Sequence, residues 1–268
     1  MKIYRVTYAL LGLLLVSYVV SLSIQAHDPR QIKSRAQISE RERRESARKR
    51  QEKMRNQYPS VDYFEKDDVV PSAKRASLAA SKKRYNNRSE ISKSLNPPDA
   101  EIASRPDNLF DFPAFPFERS NVVVLVEILD AQAHMSEDKG SVFSEFTARV
   151  NTIFKSDLGE KIQNQTITVE RPGGWIVYPN GQKLLYRIMD CGMPQVGGRY
   201  VLFLNAIFGS ENLRILTGYE LQTDRVVPLD LGRQFEIYNG SDQASFLESL
   251  QQSKSSITNH EVAVNSLH

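Results

Sequence analysis

A single cysteine in 268 residues, Cys191, leaves nothing for an intrachain disulfide and rules out a Cys-rich zinc site. Histidine is scarce too, with His27, His134, His260 and His268 the full set. No two of them stand at metal-binding spacing, so a His-based zinc centre is not expected. Glycine pairs at Gly173-Gly174 and Gly197-Gly198 fit neither the dinucleotide nor the phosphate-loop spacing, and read as turn and bulge glycines. Long apolar runs are missing except for one at the amino terminus. With 40% apolar and 25% charged residues, the chain is neither collagen-like, nor a bare coiled coil, nor a polytopic membrane protein.

What is present is uneven. The net charge of +3 conceals a basic stretch and an acidic one. Residues 28–105 hold 20 Lys and Arg against 12 Asp and Glu, whereas residues 106–268 hold 13 against 20. Such asymmetry suggests two environments or two tasks.

Lys2 and Arg5 precede an uncharged run from Val6 to Ala26. It exceeds a secretory apolar core of about 7–15 residues and just reaches the roughly 20 residues of a spanning helix. Residues 1–26 are therefore a signal peptide or a membrane anchor, and both readings stay open. Arg30, Lys33, Arg35, Arg41, Arg43 and Arg44 follow the run. By the positive-inside rule they favour a cytoplasmic carboxyl side, against export.

Residues 27–95 form a basic stalk. Within 40–57, Glu40–Arg44 and Glu45–Lys49 are spaced for helical ion pairs, but no apolar stripe accompanies them. A solvated spacer is the leading reading and contact with anionic lipid headgroups the second. Nucleic acid is disfavoured, because aromatic residues for base stacking are almost absent. Residues 58–95 carry too little apolar surface to offset ordering entropy and are expected to lack regular structure. Residues 96–120 contain five of the twelve prolines and read as a linker. Its Phe110, Phe112, Phe115 and Phe117 are expected to strap onto the domain that follows.

From Val122 the period becomes two. Val122–Val126 reads as a strand buried on both faces. Phe146, Ala148, Val150 and Phe154 mark a half-buried strand, and Ile167 with Val169, alternating with Thr166, Thr168 and Glu170, another. Asn180-Gly181 reads as a two-residue turn joining Trp175–Tyr178 to Leu184–Tyr186. Arg199–Leu204, Leu213–Gly218 and Arg225–Leu229 bring the total to roughly seven strands. Asp242–Gln252 closes the domain as a helix with Phe246, Leu247 and Leu250 on one face. The expected fold class is mainly β: a small antiparallel barrel or sandwich over 121–253, with residues 254–268 a flexible tail.

The segments SEFTARV (144–150), ITVERPGG (167–174), MPQVGGRYVLFL (193–204), ILTGYEL (215–221) and YNGSDQASFLESL (238–250) resemble a group of bacterial exported proteins. Their domain is a small OB-like barrel similar to the netrin and metalloproteinase-inhibitor type. The resemblance implies export and an OB-like barrel, and brings no activity with it. The inhibitor families place paired cysteines at the start of the barrel, and none stands there in this chain.

Chemistry is sparse. His134 lies near Ser136, Glu137 and Asp138, but four residues crowded into one solvated loop do not orient a base between nucleophile and acid. Cys191 reads as an idle, buried thiol. No catalytic residue, cofactor or metal is expected. Trp175, Tyr178, Tyr186 and Arg187 on the Asn-Gly hairpin are the candidate partner-binding residues, being of types enriched at binding hot spots. The expected function is that of an exported, membrane-tethered, non-catalytic protein of the cell envelope. Its expected partner is an envelope protein or surface polymer, with the membrane held through residues 6–26 if these are uncleaved. The alternatives are a cytoplasm-facing anchored protein whose Arg-rich helix holds anionic lipid or RNA, and an enzyme with an unrecognised site.

Overall fold

Alternation of side chains on extended backbone sorts most of the chain into inner and outer faces. The computed structural model describes residues 45, 48–50, 52–64, 72–86, 100–104, 112–158, 162 and 166–265. The chain divides into two compact units, Met1–Lys53 and Met54–His268. In the first, the described residues are helical, and Lys49 meets Glu45 at 3.0 Å with both side chains well exposed. The expected segment 6–26, the pair Glu40–Arg44 and Phe110 lie outside the described residues. Among the described residues no helix is long and apolar enough to cross a membrane.

The second unit is mainly β. Its strands are β1 (Ser60–Asp62), β2 (Ala100–Ser104), β3 (Val122–Met135), β4 (Val142–Ser156), β5 (Thr166–Pro172), β6 (Gly174–Val177), β7 (Lys183–Ile188), β8 (Arg199–Ala206), β9 (Leu213–Leu221) and β10 (Val226–Pro228). Helix α1 spans Ser72–Arg84, the short α2 Arg233–Glu236 and α3 Gln243–Asn265. One sheet runs β10-β9-β5-β4-β3-β8, and β8 also pairs with β9. Hence β3, β4, β5, β9 and β8 each have two neighbours in a closed cycle. All of these pairings are antiparallel except β5 with β9, through Val169 opposite Leu213 and Glu170 opposite Arg214.

Val122, Val124, Val126 and Ile128 share the main core with Phe146, Ala148, Val150, Val169, Leu202 and Ile215. The opposite face of β3 and β8, with Val123, Leu125, Val201 and Phe203, packs under Phe115, Phe117, Phe235, Phe246 and Leu250. Two-sided burial of Val122–Val126 thus comes from the cycle's interior on one side and the strap plus α3 on the other. Phe115 stacks on Tyr238 with ring centroids 4.6 Å apart. The Tyr219 hydroxyl donates to the Ala114 carbonyl at 2.7 Å, and Lys155 Nζ donates to the carbonyls of Phe117 and Ser120. The strap expectation holds for Phe112, Phe115 and Phe117.

A second sheet, β1-β6-β7-β2, is built on the hairpin, with β1 parallel to β6 and β2 parallel to β7. It packs on the far ends of β3 and β4 through Val61, Ala133, Met135, Val142, Ile176 and Leu184.

Several expectations change. The second unit begins at Met54 rather than 121, because β1, α1 and β2 all belong to it. Residues 60–62 and 72–84, expected without regular structure, are strand and helix, and the proline linker contains β2. Helix α3 runs on to Asn265 instead of ending before a tail. The hairpin is where it was expected, but its turn differs. Tyr178 N–H donates to the Gln182 carbonyl and Gly181 N–H to the Tyr178 carbonyl, each at 2.9 Å. Only Gly181 has positive φ, +83°. This is a type I turn followed by a glycine bulge: Pro179, locked at negative φ, suits the second turn position and displaces the two-residue mirror turn.

If the strap is core rather than tether, Phe115→Ala lowers stability by about 3 kcal/mol. Urea denaturation checks this as a lowered midpoint with an unchanged slope.

Candidate functional site

Of the four hairpin residues singled out from sequence, three are buried. Tyr178, Tyr186 and Arg187 are all under 9% exposed. Tyr178 stacks on Tyr63 at 5.0 Å, and Lys139 sits over the rings of Tyr63 and Phe64. Trp175 is half-buried, and its indole N–H donates to the Arg55 carbonyl at 3.0 Å. The hairpin does not present these side chains as a free surface. The cause is the pair of parallel strands, β1 and β2, which flank it and lie too far back in the sequence for a local reading to place them.

His134 is likewise not in a solvated loop. It lies near the end of β3, 4% exposed, its ring 5.4 Å from that of Phe143. In the loop that follows, Ser136 Oγ donates to Asp138 Oδ1 at 2.7 Å and accepts from Ser141 N–H at 2.9 Å. Those two bonds hold the serine as a turn residue.

The structure concentrates polar chemistry at two places on β5 instead. Arg171 and Asp230, 3% and 0% exposed, form a two-pronged ion pair with both N–O distances 2.8 Å. Arg171 also donates to the Gly192 carbonyl at 2.6 Å and the Leu216 carbonyl at 3.2 Å, while Gly192 N–H donates to Asp230 Oδ1. Both terminal nitrogens of Arg171 and both carboxylate oxygens of Asp230 are engaged, as a buried charge requires. Burial acts to lower the Arg171 pKa, but Asp230, Cys191 and Tyr58 together raise it on balance and the guanidinium stays charged. Tyr58 Oη donates to the Cys191 carbonyl at 2.6 Å, closing the same end of the core. Gly192 admits no side chain, since a Cβ there would lie 2.2 Å from the Leu229 carbonyl oxygen. Burial pushes the Cys191 thiol up to about 12, so the thiolate needed for nucleophilic or redox chemistry is not populated near neutrality.

The second place is the fully buried Glu170, whose side chain takes the opposite face of the strand. It accepts from Ser81 Oγ (3.1 Å), Tyr85 Oη (3.1 Å), Asn212 Nδ2 (3.2 Å) and Arg84 Nη2 (3.3 Å). Three of these four donors come from α1 and the residue after it. Burial first, then the Glu170 charge, raise the Tyr85 hydroxyl pKa, keeping it a donor. Sequence reading missed this carboxylate because it sits at an outward position of an alternating strand. The available signal was its setting between Val169 and Arg171 near a glycine pair, which is too weak to act on. No group of His, Cys, Asp and Glu fit to hold a metal occurs among the described residues.

Comparison with known proteins gives no match, either to a protein-family model or to a curated protein.

Two outcomes follow from this chemistry. Asp230→Asn removes one charge of a buried pair and should cost about 3–5 kcal/mol, whereas Arg171→Met with Asp230→Leu regains much of that loss; a thermal-unfolding mutant cycle reads both. Cys191 has a folded pKa above its ordinary 9.0. Its contribution is therefore complete below pH 9 and is lost as pH rises toward 12, with Tyr58 and Tyr85 shifted in the same sense. Stability should fall across pH 9–12, and iodoacetamide at pH 8 should label Cys191 only after denaturation.

Proposed function

We propose that this chain is an exported, membrane-tethered, non-catalytic binding protein of the cell envelope, carried on an OB-like barrel of the netrin and metalloproteinase-inhibitor type. The observation that carries the reading is the cyclic strand order. Counted from β3, it runs first, second, third, fifth, fourth and back to first, with third and fifth parallel. That order supports the OB-like reading, and in OB barrels recognition falls on one sheet face and its loops. The β6–β7 hairpin then stands as an insertion between the third and fourth strands. A binding task also suits a domain whose thiol, arginine and carboxylates are enclosed and engaged, leaving shape and surface polarity as its means of action. Phe208, fully exposed in the β8–β9 loop, offers an apolar contact on one of the loops such barrels use.

The basic residues after the amino-terminal run favour a second reading, a cytoplasm-facing protein that holds anionic lipid. Alkaline phosphatase and a fluorescent protein, fused separately after His268 of the full chain, decide between them in a bacterial host. Phosphatase activity is expected; fluorescence without it would remove the export reading.

A further inference from the structure

In barrels of this strand order, ligands engage the second and third strands and the loops joining first to second and fourth to fifth. Here these are β4, β5, the loop 136–141 and the loop 207–212, and the chain's own α1 lies across them. Tyr85 stacks on Phe143 of β4 at 4.5 Å and Leu78 joins the same small cluster. Ser141 Oγ donates to the Tyr85 carbonyl at 2.6 Å, and Glu137 N–H donates to the Lys82 carbonyl at 3.2 Å. Asn212, in the other loop, donates to both Glu145 and Glu170 at 3.2 Å.

Charge explains the match. Glu145 and Glu170 are directly opposed across β4 and β5, an arrangement that repels unless donors or a cation stand over it. Glu137 and Asp138 add to the same rim. Helix α1 contains Lys74, Arg75, Lys82, Lys83 and Arg84 and no acidic residue, and Arg84 delivers its guanidinium to Glu170. Yet the contact is shallow in apolar terms. Among the residues whose burial is described, Leu78, Ser81 and, just past the helix, Tyr85 are buried, and Leu78 and Tyr85 belong to a cluster separate from the main core. A face polar on both sides tolerates wetting when it opens, as exchangeable interfaces do.

We propose that this face is a receptor surface for a basic helix, filled in the present state by α1 and open to a helix of the same chemistry supplied in trans. The motif it reads is leucine, then serine three residues on, then an Arg-Tyr pair. The choice of face rests on the OB-like reading, but membrane topology does not enter the test, so the two can fail separately.

The test uses the full chain and a fluorescent peptide of residues 72–86. Anisotropy should show no binding to the unmodified chain and saturable, salt-weakened binding to Leu78→Asp/Tyr85→Ala, whose own helix is disarmed. Adding Glu170→Ala should weaken that binding roughly tenfold or more. Absence of binding by a folded disarmed chain, or indifference to Glu170→Ala, overturns the proposal. Hydrogen exchange on the unmodified chain guards against a disarmed variant that does not fold. Amides of α1 should exchange about a hundredfold or more faster than those of β3 and β8; exchange of all three together, through global unfolding, would make α1 a fixed part of the core and also overturn it.

Discussion

Two adjacent residues of β5 carry opposite charges to opposite faces of the sheet, and the rest of the domain is arranged so that neither charge goes unanswered. Arg171 points toward the end of the main core and draws Asp230, the Gly192 carbonyl and the Leu216 carbonyl to itself. Glu170 points outward and collects α1 and the β8–β9 loop. A one-residue slip of β5 would exchange the two faces. Arginine would then meet the Arg84 end of α1, and glutamate would meet Asp230. Burying either charge without its partner is strongly unfavourable, so the pair selects register and topology more than it adds net stability.

From that constraint the layering follows. The Arg171 contacts tie residues 190–193 and 229–231 to one end of the cycle, where Tyr58 and Met193 complete the core. The other faces are closed by elements from outside the cycle: the aromatic strap and α3 over β3 and β8, α1 over β4 and β5, and the second sheet over the ends of β3 and β4. Irregularities in the long β3–β4 ladder, at Val123/Val124, Leu125/Val126 and Ile128/Asp130, mark where that ribbon departs from a uniform register, and bulges of this kind bend and twist a strand.

What the sequence disclosed and what it hid divide along a physical line. Buried strands such as Val122–Val126 and Arg199–Leu204, the hairpin position, the phenylalanine strap and the Phe246/Leu250 helix face all announce themselves through apolar periodicity, which is local. Parallel β1 and β2 are only a few residues long, and their pairing with β6 and β7 is set by distant chain. Helix α1 has almost no apolar stripe, and a polar latch holds it, so hydrophobic patterning could not find it. Glu170 looked solvent-facing because the face it occupies is covered by that same undetected helix. The burial of Tyr178, Tyr186 and Arg187 on the hairpin went unread for the companion reason: the strands that flank it were not seen.

The charge asymmetry of the chain takes on a different meaning in this light. A basic stretch followed by an acidic one suggests two separate surroundings, and that reading stays a proposal for the basic residues before the second unit begins at Met54. Part of the basic stretch, however, is α1, and part of the acidic stretch is Glu137, Asp138, Glu145 and Glu170. Those charges meet inside one compact unit. Opposed carboxylates on β4 and β5 make that sheet face an acceptor for a cation whether or not the cation belongs to the same chain. Among the described residues, Arg84 meets Glu170 at 3.3 Å, Tyr85 stacks on Phe143, and Ser81 and Tyr85 donate to the same carboxylate; these contacts join the two halves of the recognition event proposed above.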